Sequence, residues 1–105
     1  MVEKNQIFDG FIALLLHDTW SVRLGAMVIV EELSESHPTL AARLCPILMD
    51  RFDKKEIPVK GDILYVFGLT GDENTKEWIK SKLNSFEQPD LVDAAMDAID
   101  VLASK

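Results

Sequence analysis

Cysteine is almost missing from this 105-residue chain, Cys45 being the only one. A single thiol closes no intrachain disulfide. Without a CxxC pair, the chain has neither a dithiol redox site nor a Cys-based zinc site of its own, and a reducing compartment is the simple reading. Long apolar runs are lacking too. The block Phe11 to Leu16 falls far short of the roughly 18 residues that a membrane helix needs. The opening Met-Val-Glu-Lys-Asn-Gln gives that block no cationic lead-in, and no small-residue cleavage site follows, so a secretory signal is not expected and a cytoplasmic setting is. Positive charge is scarce, with 11 Lys and Arg against 18 Asp and Glu, a net −7 at pH 7. The basic residues are scattered instead of striped. That balance opposes phosphate backbones and anionic lipid, so neither nucleic acid nor a membrane surface is an expected partner.

Reactive constellations are equally sparse. His17, His37 and Cys45 are the only soft ligands, and none has a metal-site spacing. The two histidines suit the negative ends of helices, and the cysteine suits a small core position. No serine sits in a nucleophile elbow, and Gly61 and Gly71 are not followed by the Lys-Ser or Lys-Thr of a phosphate loop. Asp93, Asp97 and Asp100 form an acidic row at spacings of four and three. Carboxylates that move protons or hold a cation must converge in a cleft, whereas a row on one helix face is ordinarily solvated. No catalytic residue, metal or cofactor is therefore expected, and the chain does not read as an enzyme.

What the chain has is helical periodicity. Hydrophobic residues make up 48% of it and charged residues 28%, the balance of one globular domain. Ile7, Phe8, Phe11, Ile12, Leu14, Leu15 and Leu16 recur at helical spacings and predict a helix over 5–17, buried on a wide face. Asp18 and Thr19 offer cap oxygens to a second helix carrying Trp20 to Ser34. Ser36 or His37 then caps a third, from about Pro38 to Phe52, with Leu40, Leu44, Ile47, Leu48 and Phe52 on its inner side. Pro46 in its interior removes a backbone donor and should kink it about one turn earlier. A fourth helix, about 59–69, ends near Gly68 and the stop Thr70-Gly71-Asp72. A fifth, about 74–86, carries Trp78, Ile79, Leu83 and Phe86, and a sixth opens at Gln88-Pro89-Asp90 and runs to about Ala103. No segment reads as a strand, so the fold class is all-α.

The even-numbered helices echo one another. An offset of 37 pairs Val22 with Val59, Arg23 with Lys60, Ala26 with Ile63, Ile29 with Val66 and Val30 with Phe67; a further 32 aligns Leu91, Ala95, Ala98, Ile99 and Leu102 with Val22, Ala26, Ile29, Val30 and Leu33. Three hairpins at such a period indicate stacked repeats, each burying its apolar face against its neighbours. Asp18, Val22-Arg23, Ala26 and Val30, followed by Pro46, Leu48, Phe52-Asp53, Val59-Lys60, Phe67-Gly68 and Gly71-Asp72, resemble the HEAT repeat. The resemblance spans nearly the whole chain. It implies three antiparallel helix pairs, at about 5–35, 38–71 and 73–104, stacked as a short right-handed solenoid in a single domain. The third unit departs from the pattern, with Val92 in place of the basic residue and no proline in its first helix. A second resemblance, carried by Trp20-Ser-Val-Arg-Leu-Gly-Ala-Met with Leu44-Cys-Pro46 and Lys60-Gly-Asp-Ile-Leu-Tyr65, is to a helical segment appended to some prokaryotic thioredoxin-fold proteins. It implies a regulatory or targeting extension of a redox protein.

Opposite the shared apolar stripe lie Leu24, Val28 and Glu31, then Gly61, Tyr65 and Gly68, then Asp93, Asp97 and Asp100, with Trp20 and Ile57 near the same line. In stacked helix pairs this line faces the concave surface where such scaffolds bind. Two arrangements satisfy it. Either the face is open and binds a protein partner through Trp20, Leu24, Val28 and Tyr65, with Asp93 and Asp97 favouring a basic segment, or the array curls or dimerises and hides Trp20 and Val28 as core. A homo-oligomer is left open. Arg23 is expected to stabilise a turn by pairing with Asp18 or Asp53.

Overall fold

The computed structural model describes residues 2–105, with side chains from residue 9 onward, so the expected burial of Ile7 and Phe8 lies outside the described side chains. Seven helical segments follow one another: α1 Val2–Leu15, α2 Trp20–Ser36, α3 Pro38–Ala42, α4 Leu44–Phe52, α5 Ile57–Thr70, α6 Glu73–Leu83 and α7 Pro89–Ala103. Among the described residues there is no strand, and the protein is all-α. Proline placement accounts for much of this punctuation. Pro38, Pro58 and Pro89 sit in the first turns of α3, α5 and α7, where the missing N–H has no intrahelical partner to lose. Pro46 sits inside a helix and breaks it. It cannot donate to the Ala42 carbonyl one turn back, and α3 stops at Ala42 before α4 resumes at Leu44. Between them the Arg43 amide takes a tighter bond to the Leu40 carbonyl, 3.1 Å.

Neighbours in sequence pack as pairs: α1 on α2, α4 on α5, and α6 on α7. α5 is flanked by both α2 and α7, so the three longer second helices lie side by side. The core runs through all of them, from Ile12 of α1 through Val30, Leu48 and Ile63 to Ile79 and Ala95. An aromatic cluster ties its far half together. The Phe52 ring meets Trp78 edge-on at 5.3 Å and Phe86 at 5.8 Å, and Phe67 meets the same indole at 5.5 Å. Such pairs add about 1 kcal/mol each beyond the area they bury. The radius of gyration, 13.0 Å, matches the ~13 Å of a compact chain of this length.

Several local expectations are corrected. Thr19 occupies the N-cap of α2 and His37 that of α3, but neither side chain bonds to its helix; the Thr19 amide instead donates to His17 Nδ1 at 2.9 Å. Side-chain capping appears at Asp72, which accepts from the Thr75 amide at 3.1 Å while Thr75 Oγ1 accepts from the Asp72 amide at 3.3 Å. This reciprocal box satisfies two free N–H groups at the start of α6. Gly71 stops α5 without a left-handed turn, since its φ is −81°. Glycine is needed there for space: a Cβ would lie 2.6 Å from the Phe67 carbonyl oxygen and 2.7 Å from Thr75 Cγ2.

Burial on α2 also differs from the repeat alignment. Ala26 and Val30 are buried, but Ile29 is 53% exposed, while Arg23 and Met27 are buried in its stead. Leu14 and Leu40, expected inside, are likewise exposed. The inward side of α2 carries a bonded cation. Arg23, 3% exposed, donates through Nε to Asp62 Oδ2 at 2.7 Å and through Nη1 to the carbonyls of His17 and Asp18 at 2.7 and 3.0 Å. The expected turn is tied down, though through the Asp18 backbone, and the carboxylate partner is Asp62 of α5 rather than Asp18 or Asp53. Asp53 pairs with Lys82 at 2.8 Å, and Lys60, the alignment counterpart of Arg23, lies over the Phe52 ring at 5.4 Å.

Candidate functional site

Three of the exposed apolar residues of α2 lie along one side of it. Trp20, 63% exposed, opens the helix; Leu24 and Val28 follow at successive turns, and Glu31 comes next at helical spacing. A helix buries one stripe, and the Arg23, Ala26, Met27 and Val30 stripe leaves this row on the outside. Exposed leucine or valine taken singly is ordinary, but Trp20, Leu24 and Val28 stand together on one flank of α2, whereas the exposed Ile29 lies on the opposite flank.

Tyr65 connects this row to the rest of the molecule. Projecting from the middle of α5 and about half exposed, it donates its hydroxyl proton to Glu31 Oε1 at 2.6 Å. Bonding to the carboxylate, with a smaller contribution from burial, raises the phenol above its ordinary value of 10.0, because the proton is what holds the pair together. Tyr65 also lines a groove of about 310 Å³ between α5 and α7. Gly68 and Leu69 of α5 and Ala94, Ala98 and Val101 of α7 supply the apolar walls, and Asp97 is the one charged residue at the lining.

Small residues make this groove. Gly68 was expected on the open line of α5 but is buried, with the position of a Cβ only 3.6 Å from Ala98 Cα. The two helices therefore approach closely at that point, and the short side chains at 94 and 98 leave a hollow beside it. Gly68, Leu69, Ala94, Ala98 and Val101 were not among the site residues expected from sequence. The available signal was a glycine on one second helix and alanines four apart on the next.

The six residues expected to bind a partner are all exposed. Tyr65 and Asp97 come together in the groove wall; Asp93 lies one turn before Asp97 on α7 and outside the lining; Trp20, Leu24 and Val28 form the separate row on α2 that Glu31 and Tyr65 join to it. Asp100 is exposed further along α7. The alternative in which the monomer curls over Trp20 and Val28 does not describe this structure.

Elsewhere, His37 and Cys45 make local contacts. His37 Nδ1 lies 3.0 Å from Ser36 Oγ. Cys45 is buried with Sγ 3.2 Å from Thr70 Oγ1, and burial pushes its thiol above the ordinary 9.0, away from a reactive thiolate. Among the described residues no three His, Cys, Asp or Glu side chains gather as a metal ion would require, and no helix is long and apolar enough to cross a membrane. No protein-family model, curated protein or solved structure matches the chain.

Proposed function

We propose that the protein is a non-catalytic binding module that holds a protein partner on the face formed by α2, α5 and α7. In this reading the chain is a short right-handed HEAT-like solenoid. The pairing of α1 with α2, α4 with α5 and α6 with α7, and the side-by-side placement of α2, α5 and α7, support it. The observation that carries the reading is the Tyr65–Glu31 hydrogen bond. It joins the apolar row Trp20, Leu24 and Val28 to the groove beside Tyr65, so that one face presents a tryptophan, a tyrosine and aliphatic side chains together. Tryptophan and tyrosine dominate the energetics of protein interfaces, and exposed apolar side chains grouped on one face support a contact surface.

The acidic edge formed by Asp93 and Asp97 favours a partner with a basic segment, through faster encounter and through discrimination against acidic competitors. The test is capture of partner from cells that express the protein, with wild type beside Val28→Asp and Tyr65→Ala. Both variants should keep wild-type helicity and nearly the wild-type melting temperature, and lose the partner. Retention of the same partner by both would remove the face from the function.

A further inference from the structure

The groove between α5 and α7 has a shape and a charge that together select one kind of occupant. Its volume, about 310 Å³, is at the lower end for small-molecule sites and suits one or two apolar side chains. Its walls are almost wholly carbon, and the single charged group among the lining residues is Asp97. Asp93 stands one turn away on the same helix, no lysine or arginine lines the groove, and the chain as a whole is at −7. An apolar hollow with a carboxylate edge is complementary to a side chain that is apolar in the middle of a cationic surround.

We infer that this groove is an anchor pocket for a basic amphipathic helix of a partner protein, one that inserts an aliphatic or aromatic side chain beside Tyr65 and Gly68 and sets a lysine or arginine, one helical turn away, against Asp97 and Asp93. This rests on the proposed reading of the face as a protein-binding surface and specifies its partner. The spacing follows from helix geometry. Residues three or four apart share a face, and Asp93 and Asp97 are themselves four apart, so a cation one turn from the anchor is within reach of one or both. Apolar burial supplies affinity, while the carboxylates fix orientation and exclude acidic helices.

A fluorescently labelled synthetic peptide with leucines at helical spacing and lysines between them, titrated against the full chain and followed by anisotropy, tests this. Saturable binding is expected, weakened about tenfold or more by Ala94→Leu, which fills the groove, and by Asp93→Asn with Asp97→Asn. Val101→Phe closes the groove from its exposed rim, so it gives the same reading should Ala94→Leu fail to fold. Two control peptides carry the alternatives. Replacing lysine by glutamate should abolish binding, and so should replacing leucine by serine. Equal binding of the serine peptide, or undiminished binding to both groove-filling variants, overturns the inference, as does displacement of the peptide by self-association, which would make a second copy the occupant. If the peptide fails to bind while Val28→Asp still loses the cellular partner, the pocket assignment falls and the binding face stands; if neither Val28→Asp nor Tyr65→Ala affects partner capture, the face itself falls.

Discussion

The Tyr65 hydroxyl donates to Glu31 Oε1 across 2.6 Å, joining α5 to α2 over 34 residues of sequence. Tyr65 is the only tyrosine in the chain, so phenolate absorbance reports on this one bond. Its folded pKa is raised above 10.0, chiefly by the bond to Glu31. The pair's contribution to stability is therefore fully present below pH 10 and is lost as pH rises through the folded value. Spectrophotometric titration should give a midpoint above 10 in the native protein, moving back toward 10 in Glu31→Gln. A midpoint that ignores the substitution would mean that the bond is not formed in solution.

Arg23 is the buried fastener between the first and second helix pairs. Arg23→Ala strands two carbonyls and the Asp62 carboxylate, and should cost about 3 kcal/mol, lowering the melting temperature on the order of 15 °C. Arg23→Lys keeps the charge but lacks the fork that serves three acceptors, and should fall between the two. Urea and thermal melts distinguish these outcomes; a wild-type melt for Arg23→Ala would contradict the role.

Glycines divide by what surrounds them. Gly71→Ala drives a methyl into the Phe67 carbonyl and Thr75, and should destabilise by about 2 kcal/mol. Gly25 lies within α2 with open space where a Cβ would be, so Gly25→Ala should stabilise by about 0.5–1 kcal/mol through the lower entropy of the unfolded chain. Paired urea denaturation curves give both signs in one experiment.

Cys45 should resist thiol reagents. Its thiol is buried and its pKa is raised above 9.0 by that burial, so at pH 8 less of it is thiolate than in the unfolded chain. The thiol's contribution to stability is present below pH 9 and lost as pH rises through the folded value. Reaction with a chromogenic disulfide should be at least about tenfold slower in the native protein than in urea; equal rates would place the thiol at the surface.

Local chemistry was legible in the sequence. Pro46 announced a kink about one turn back because a missing N–H acts at that distance, and the helix goes further and breaks between Ala42 and Leu44; the helical periods of Val30 and Leu48 marked them as core. Long-range pairing was not legible. Ile29 and Met27 are both apolar, and the side of α2 that is buried is the one carrying Met27 and Arg23, whose carboxylate partner lies 39 positions away. That Trp20, Leu24 and Val28 share a line apart from the core stripe could be read from the sequence, which left open whether that line is exposed or hidden as core; the structure exposes all three. The groove could not be read, because it arises where Gly68 on one helix meets Ala98 on another, a contact that no single helix encodes.

The central claim is that the α2, α5 and α7 face holds another protein. The direct measurement is site-specific photo-cross-linking in expressing cells, with the photoreactive amino acid placed in turn at Val28 and Tyr65 on the face and at Glu77, an exposed residue of α6. One partner cross-linked from Val28 and Tyr65 but not from Glu77 is the predicted result. Cross-linking only to a second copy of this chain, or equal cross-linking from all three positions, would contradict it.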